Sequence, residues 1–196
     1  MRRALTLAVT LLTLCGVSPA YYHFIHFASR NAPFHGIPER FDLNVLPNQT
    51  LSWFLADTSS LQFASGDSAV ALQSELIAAI NVWNNVDTSA LRVAFGGPST
   101  PGSSSTPSVD ILFDDVPGLI AMGGPTVRAA SNGQFVPILK SVVMVSTDAS
   151  KRVSYSEQFF TTVVHEFGHA LGLQHTFTSG VMSTSAALYD EGITRE

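Results

Sequence analysis

The spacing of hydrophobic positions changes several times along the chain, and each change marks an expected element. Phe41 to Leu46 and Leu51 to Leu55 alternate apolar and polar residues around Pro47-Asn48, which predicts a first strand with a break or two short strands. From Asp67, a residue suited to cap a helix, Leu72, Leu76, Ile80 and Trp83 recur on one helical face with no Gly or Pro before Asn85. Leu91 to Phe95 reads as a strand, Gly96 to Ser108 as a surface loop rich in Gly, Ser, Pro and Thr, and Val109, Ile111 and Phe113 as one face of the next strand. Leu119 to Val127 is interrupted by Gly123-Gly124-Pro125 and predicts an irregular edge strand, because proline cannot donate to a central ladder. Val142 to Val145 predicts a buried strand. Ser154 and Glu157 have the spacing of a capping box, opening a helix that runs through Phe159, Phe160, Val163, Val164 and Phe167 to Leu171. Ahead of all these, Tyr21 to Arg40 is aromatic and histidine-rich with Pro33 and Pro38, which suggests an extended arm on the domain and no regular element.

Composition narrows the class. With 196 residues, 45% of them hydrophobic, the chain is long and apolar enough for one domain with a proper core. Its 10 Lys and Arg against 15 Asp and Glu leave a formal net charge of -5 and no basic face for a phosphate backbone, so nucleic acid is not an expected partner. The N-terminus has the pattern of a signal peptide over residues 1–20: cationic Met1-Arg2-Arg3, apolar Ala4 to Leu14, and small residues leading to a cut after Ala20. The apolar run is too short to span a bilayer, which takes about 20 helical residues. The expectation is therefore a secreted protein, extracellular or periplasmic, with residues 21–196 as its domain and no stable membrane insertion. Cys15 is the sole cysteine and lies in the leader, so the processed protein has no internal disulfide, no thiolate ligand and no catalytic cysteine. Nothing in the pattern argues for an oligomer, and a monomer is expected.

The chemistry concentrates on the last helix. His165-Glu166-Phe167-Gly168-His169 sets two imidazoles one turn apart on nearly the same face, close enough to share one cation. Glu166 stands about 100° round the helix from His165, placed to act as a base without ligating the metal. The chain continues to Gly172 and His175, three and six residues past His169. Six His and 14 Gly among 196 residues make that added pair a coincidence of roughly one in 460. The glycine has a mechanical reason: in a left-handed conformation it ends the helix and turns the chain so that His175 swings back as a third ligand. Three imidazoles leave a fourth position open, which is the arrangement of a catalytic zinc, and with no thiolate present zinc suits the set best.

The run His165-Glu166-x-x-His169-x-x-Gly172-x-x-His175, followed by Ser179-Gly180-Val181-Met182-Ser183, resembles the signature of the metzincin metallopeptidases, and the order of elements resembles their matrixin branch. The specific match covers Val163 to Ser183. The resemblance implies an α+β catalytic domain, with a twisted mixed sheet, an edge strand over the cleft and two main helices, one carrying the H-E-x-x-H motif. It implies one catalytic zinc on His165, His169 and His175, Glu166 as general base, and Met182 as a hydrophobic floor beneath the imidazoles. Proteins or peptides are the implied substrates, lying extended along the edge strand near Leu119 to Gly124.

Several features depart from the pattern. The cysteine-bearing propeptide of animal matrixins has no counterpart, no Tyr stands two residues after Met182, and Ser183 and Thr184 replace the Pro and Tyr that shape the family's specificity pocket. Only Thr184 to Glu196 follow the methionine turn, where the family has a further helix, so a truncated chain or reduced C-terminal packing is expected. A non-catalytic secreted domain that keeps the metal for stability is the competing reading. His23, His26 and His35 match no zinc spacing and are expected as surface histidines. Asp110, Asp114 and Asp115 are acids at strand ends, the usual place for solvated carboxylates, and calcium is not assigned to them.

Overall fold

The computed structural model describes residues 22–27, 29, 31–99, 106–116, 119–147, 157–177 and 180–184. The expected signal peptide, the expected cap at Ser154 and the segment beyond Thr184 lie outside them. Seven strands form one mixed sheet: β1 (Ile25–Phe27), β2 (Gly36–Arg40), β3 (Thr50–Leu55), β4 (Arg92–Pro98), β5 (Ser108–Asp114), β6 (Ala121–Arg128) and β7 (Val136–Ser146). Two helices, α1 (Ala69–Asn81) and α2 (Glu157–Ala170), complete the α+β domain. The order runs β1-β2-β7-β5-β3-β4, and β6 pairs with β7. Strands β4, β3, β5 and β7 are parallel to one another, whereas β6 is antiparallel to β7.

The core lies between one sheet face and both helices. The two-residue period places Leu51, Trp53 and Leu55 of β3, Val109 and Ile111 of β5, and Val143 and Val145 of β7 on that face. Leu72, Leu76, Ala79 and Ile80 of α1, together with Phe160, Val163, Val164 and Phe167 of α2, close over them. Where α1 gives way to a short 3-10 turn (Val82–Asn85), the indole of Trp83 donates to the Val164 carbonyl at 3.1 Å, a buried bond that ties the two helices together.

Three expectations change. The arm of residues 21–40 contains regular structure: β1 and β2 are an antiparallel pair, and β2 joins the start of β7 through Glu39↔Val136 and Arg40↔Pro137. All three β1 residues are exposed, so no apolar alternation could announce the strand; backbone pairing holds it. The expected strand at Phe41 to Leu46 is a 3-10 turn at Leu43–Val45, followed by a second at Pro47–Gln49. The Asp42 carboxylate takes the Asn44 N–H at 3.0 Å, offering the backbone a turn in place of a ladder, and only Thr50–Leu55 is strand. Helix α1 is capped by Ser68, which accepts from the Ala71 N–H, and not by Asp67, whose own N–H is spent on the Ala64 carbonyl. The Leu91–Phe95 and Val142–Val145 strands are present and extend further, as β4 and β7. The edge-strand reading holds for β6, whose register slips after Pro125.

Helix α2 ends in a Schellman turn: the Gly172 N–H reaches the His169 carbonyl at 2.9 Å and the Leu173 N–H reaches Gly168 at 3.0 Å. Gly172 has φ of 97°, and a Cβ there would stand 2.9 Å from the Glu39 carbonyl of β2, so glycine is required both by conformation and by space. Gly172→Ala is expected to cost about 1–2 kcal/mol in backbone strain alone, read as a lowered urea midpoint at unchanged slope. Leu76→Ala, which opens a cavity beneath α1, is expected to cost about 2–5 kcal/mol in the same measurement.

Candidate metal centre

His165 and His169 project from one face of α2 and are buried; His175 arrives from the loop beyond Gly172 and is exposed. Their Nε2 atoms form a nearly equilateral triangle, with 3.1 Å between His165 and His169, 3.1 Å between His169 and His175, and 3.2 Å between His165 and His175. The other ring nitrogens decide what this triangle means. His165 Nδ1 lies 2.5 Å from the Val181 carbonyl and His169 Nδ1 lies 2.8 Å from the Leu173 carbonyl. A carbonyl only accepts, so both Nδ1 atoms carry the proton, and the Nε2 atoms of these neutral rings present lone pairs. Two lone pairs 3.1 Å apart cannot hydrogen-bond each other, but they could hold a shared cation. Imidazole nitrogens on a four-coordinate zinc, with bonds of about 2.0–2.1 Å, stand roughly 3.3–3.4 Å apart, so the triangle fits that ion.

Burial reinforces the neutral state. It pushes the His169 imidazole down to about 4, with the Leu173 carbonyl pulling the other way and the neighbouring imidazoles adding to the fall. His165 is lowered in the same sense, again by burial first, against the Val181 carbonyl. The metal-binding form of these rings is thus the form the fold favours.

Glu166 follows His165 on α2 and turns toward β6. Burial lifts its carboxyl to about 7, and the Gly123 N–H opposes that shift by favouring the carboxylate. Helix and edge strand come this close only because residue 123 has no side chain: a Cβ there would collide with the Glu166 backbone carbonyl. Gly168, inside the H-E-x-x-H run, plays a similar part, since a Cβ there would collide with the Met182 sulfur and crowd Trp83. Met182 is wholly buried in the core cluster below the helix. Its loop is closed by the Ser183 N–H on Gly180 at 2.9 Å and held to the third-ligand segment by the Thr176 N–H on the Met182 carbonyl at 2.7 Å. The methionine turn therefore does two things: it underlies the helix, and through the Val181 carbonyl it orients His165.

Of the five residues singled out from the sequence, His165, His169 and His175 converge, Glu166 stands between the first two on α2 with the Gly123 N–H at its carboxyl, and Met182 is buried in the core cluster. Reading the sequence missed the groups that orient them. The Leu173 and Val181 carbonyls are main-chain atoms with no side-chain signature, while the Gly123-Gly124-Pro125 interruption was a visible sign of close approach that periodicity alone reads only as irregularity. His23, His26 and His35 are outside the triangle; His26 Nδ1 lies 4.0 Å from Glu39, a buried carboxylate whose main partner is Arg128, and His23 lies beside the α2 turn. Asp110 and Asp114 are on β5, and the Asp114 carboxylate accepts the Asp115 N–H at 2.7 Å. Among the described residues the three histidines are the one group of metal-capable side chains that converges.

The family model for matrixin matches residues 68–192, which takes in α1, strands β4 to β7, α2 and the three histidines. No curated protein matches the chain. The match covers more than half of the sequence and meets an α+β fold with the expected sheet and two helices, so the chain belongs to the matrixin family of metallopeptidases.

Proposed function

We infer that the protein is a secreted zinc-dependent endopeptidase in which His165, His169 and His175 hold one zinc ion and Glu166 is the general base. The observation that carries this reading is the triangle of Nε2 lone pairs beside a carboxyl lifted to about 7. When bound, zinc supplies a Lewis acid that acidifies water and polarises a peptide carbonyl.

The chain's own residues supply the rest. Val181 and Leu173 keep the lone pairs of His165 and His169 aimed at the metal, which fixes the tautomer before any ion arrives. The Glu166 carboxylate takes a proton from the attacking water and returns it to the leaving amine; a group that titrates near neutrality does both without a large penalty in either direction. The substrate, a protein or peptide, lies extended along β6, which pairs with β7 alone among the described strands. Exposed Leu119, Ile120 and Met122 give that margin apolar surface for substrate side chains. The signal-like N-terminus supports export, and among the described residues no helix is long and apolar enough to cross a membrane.

Two outcomes are expected from a mixed peptide library. Glu166→Ala lowers cleavage by about 10²–10⁴-fold while zinc content, measured by atomic absorption, stays at that of the wild type. A zinc chelator abolishes cleavage, and added zinc restores it. A zinc-loaded wild type that cleaves nothing would turn the reading toward a non-catalytic metal-binding domain.

A further inference from the structure

The segment between Gly172 and His175 is paired on its outer side. Its partner is the start of the described chain: the Phe24 N–H donates to the Gly172 carbonyl at 2.8 Å and the Gln174 N–H donates to the Tyr22 carbonyl at 2.6 Å, with His23 directly opposite Leu173 in an antiparallel bridge. This short ladder spans Gly172, Leu173 and Gln174, three of the four residues that link α2 to the third histidine. Leu173, at its centre, is also the residue whose carbonyl holds His169 Nδ1. The Phe24 ring stands 6.1 Å from the His169 ring. The arm is itself anchored, because the Glu39 N–H of β2 donates to the Phe24 carbonyl at 2.8 Å and β2 is bound to β7.

We propose that Tyr22, His23 and Phe24 are positioning residues of the metal centre, acting through the main chain as a clamp that holds the Gly172–Gln174 turn in register for two of the three histidines. This deepens the metal reading above and rests on it. The physical need is plain. Of the three rings, His165 and His169 are held on a helix packed into the core, but His175 is exposed and its loop follows a glycine with wide backbone freedom. Without a second point of support, placing His175 Nε2 within 3.2 Å of the other two would cost the ordering of that loop each time the ion binds. With the turn already paired, that ordering is complete beforehand. A hydrogen-bonded group behind a metal ligand commonly contributes about 10–100-fold to metal affinity, the range expected here.

The test is made on the full chain. Phe24→Pro deletes the N–H that binds the Gly172 carbonyl, and Phe24→Ala keeps that N–H while removing the ring. Zinc affinity is measured by competition with a chromophoric chelator, beside thermal unfolding of the metal-free proteins. Phe24→Pro is expected to weaken zinc at least about 10-fold, and Phe24→Ala much less, with the metal-free unfolding temperatures close to the wild type. Equal zinc affinity in folded Phe24→Pro and wild type would overturn the clamp. Should Phe24→Pro fail to fold, amide exchange on the wild type decides: coupling is reciprocal, so zinc must slow exchange at Phe24 and Gln174. Exchange there that ignores zinc overturns the clamp as well. A wild type that binds no zinc at all would instead overturn the metal centre, and the two failures are distinguished by that first titration.

Discussion

Three imidazole Nε2 atoms converging on one point are an arrangement that the surrounding protein has to impose. The lone pairs of His165 and His169 face each other at 3.1 Å, with His175 Nε2 at 3.1–3.2 Å from both, and a cation at that point would turn their convergence into binding. Much of the neighbouring structure can be understood as support for this point. Two carbonyls hold the tautomers of the buried rings, burial keeps those rings deprotonated, and the glycine that ends α2 sends the chain back on itself.

The support is asymmetric. His165 and His169 inherit their rigidity from α2, whose inward side is locked by the phenylalanines and valines facing the sheet and by the Trp83 bond to Val164. Helix placement is set in turn by side chains that are missing: residues 123 and 168 can only be glycine if the helix is to sit close to β6 and over Met182. A close-packed interior transmits such constraints because a single added carbon has nowhere to go. His175 has no helix behind it, and the loop that carries it is paired with neighbouring segments.

Most of the site was legible in the sequence, and the reason is geometric. Ligands on one helix repeat at a spacing set by the helix itself, so His165 and His169 identify each other, and Gly172 with His175 records the turn that follows. The central strands and α1 were legible for a related reason: Leu51, Trp53 and Leu55 or Leu72, Leu76 and Ile80 reveal which side is buried. What stayed hidden was held by main chain. Strand β1 has no buried side chain, the turn at Leu43–Val45 depends on the carboxylate of Asp42 outcompeting a ladder, and the carbonyls of Leu173 and Val181 could belong to any residue. Contacts of this kind are specified by where the backbone goes and leave little mark on residue identity.

Strand β6 carries a further consequence. A strand margin that is left open can pair with the same margin of another molecule, and such edges are where proteins begin to aggregate. Here the liability is cut short. Pro125 withholds a donor, the ladder slips between Pro125 and Val127 and again before Arg128, and Arg128 is drawn down to the buried Glu39. The regular edge is thereby reduced to the few residues beside Glu166, too short to template a growing sheet.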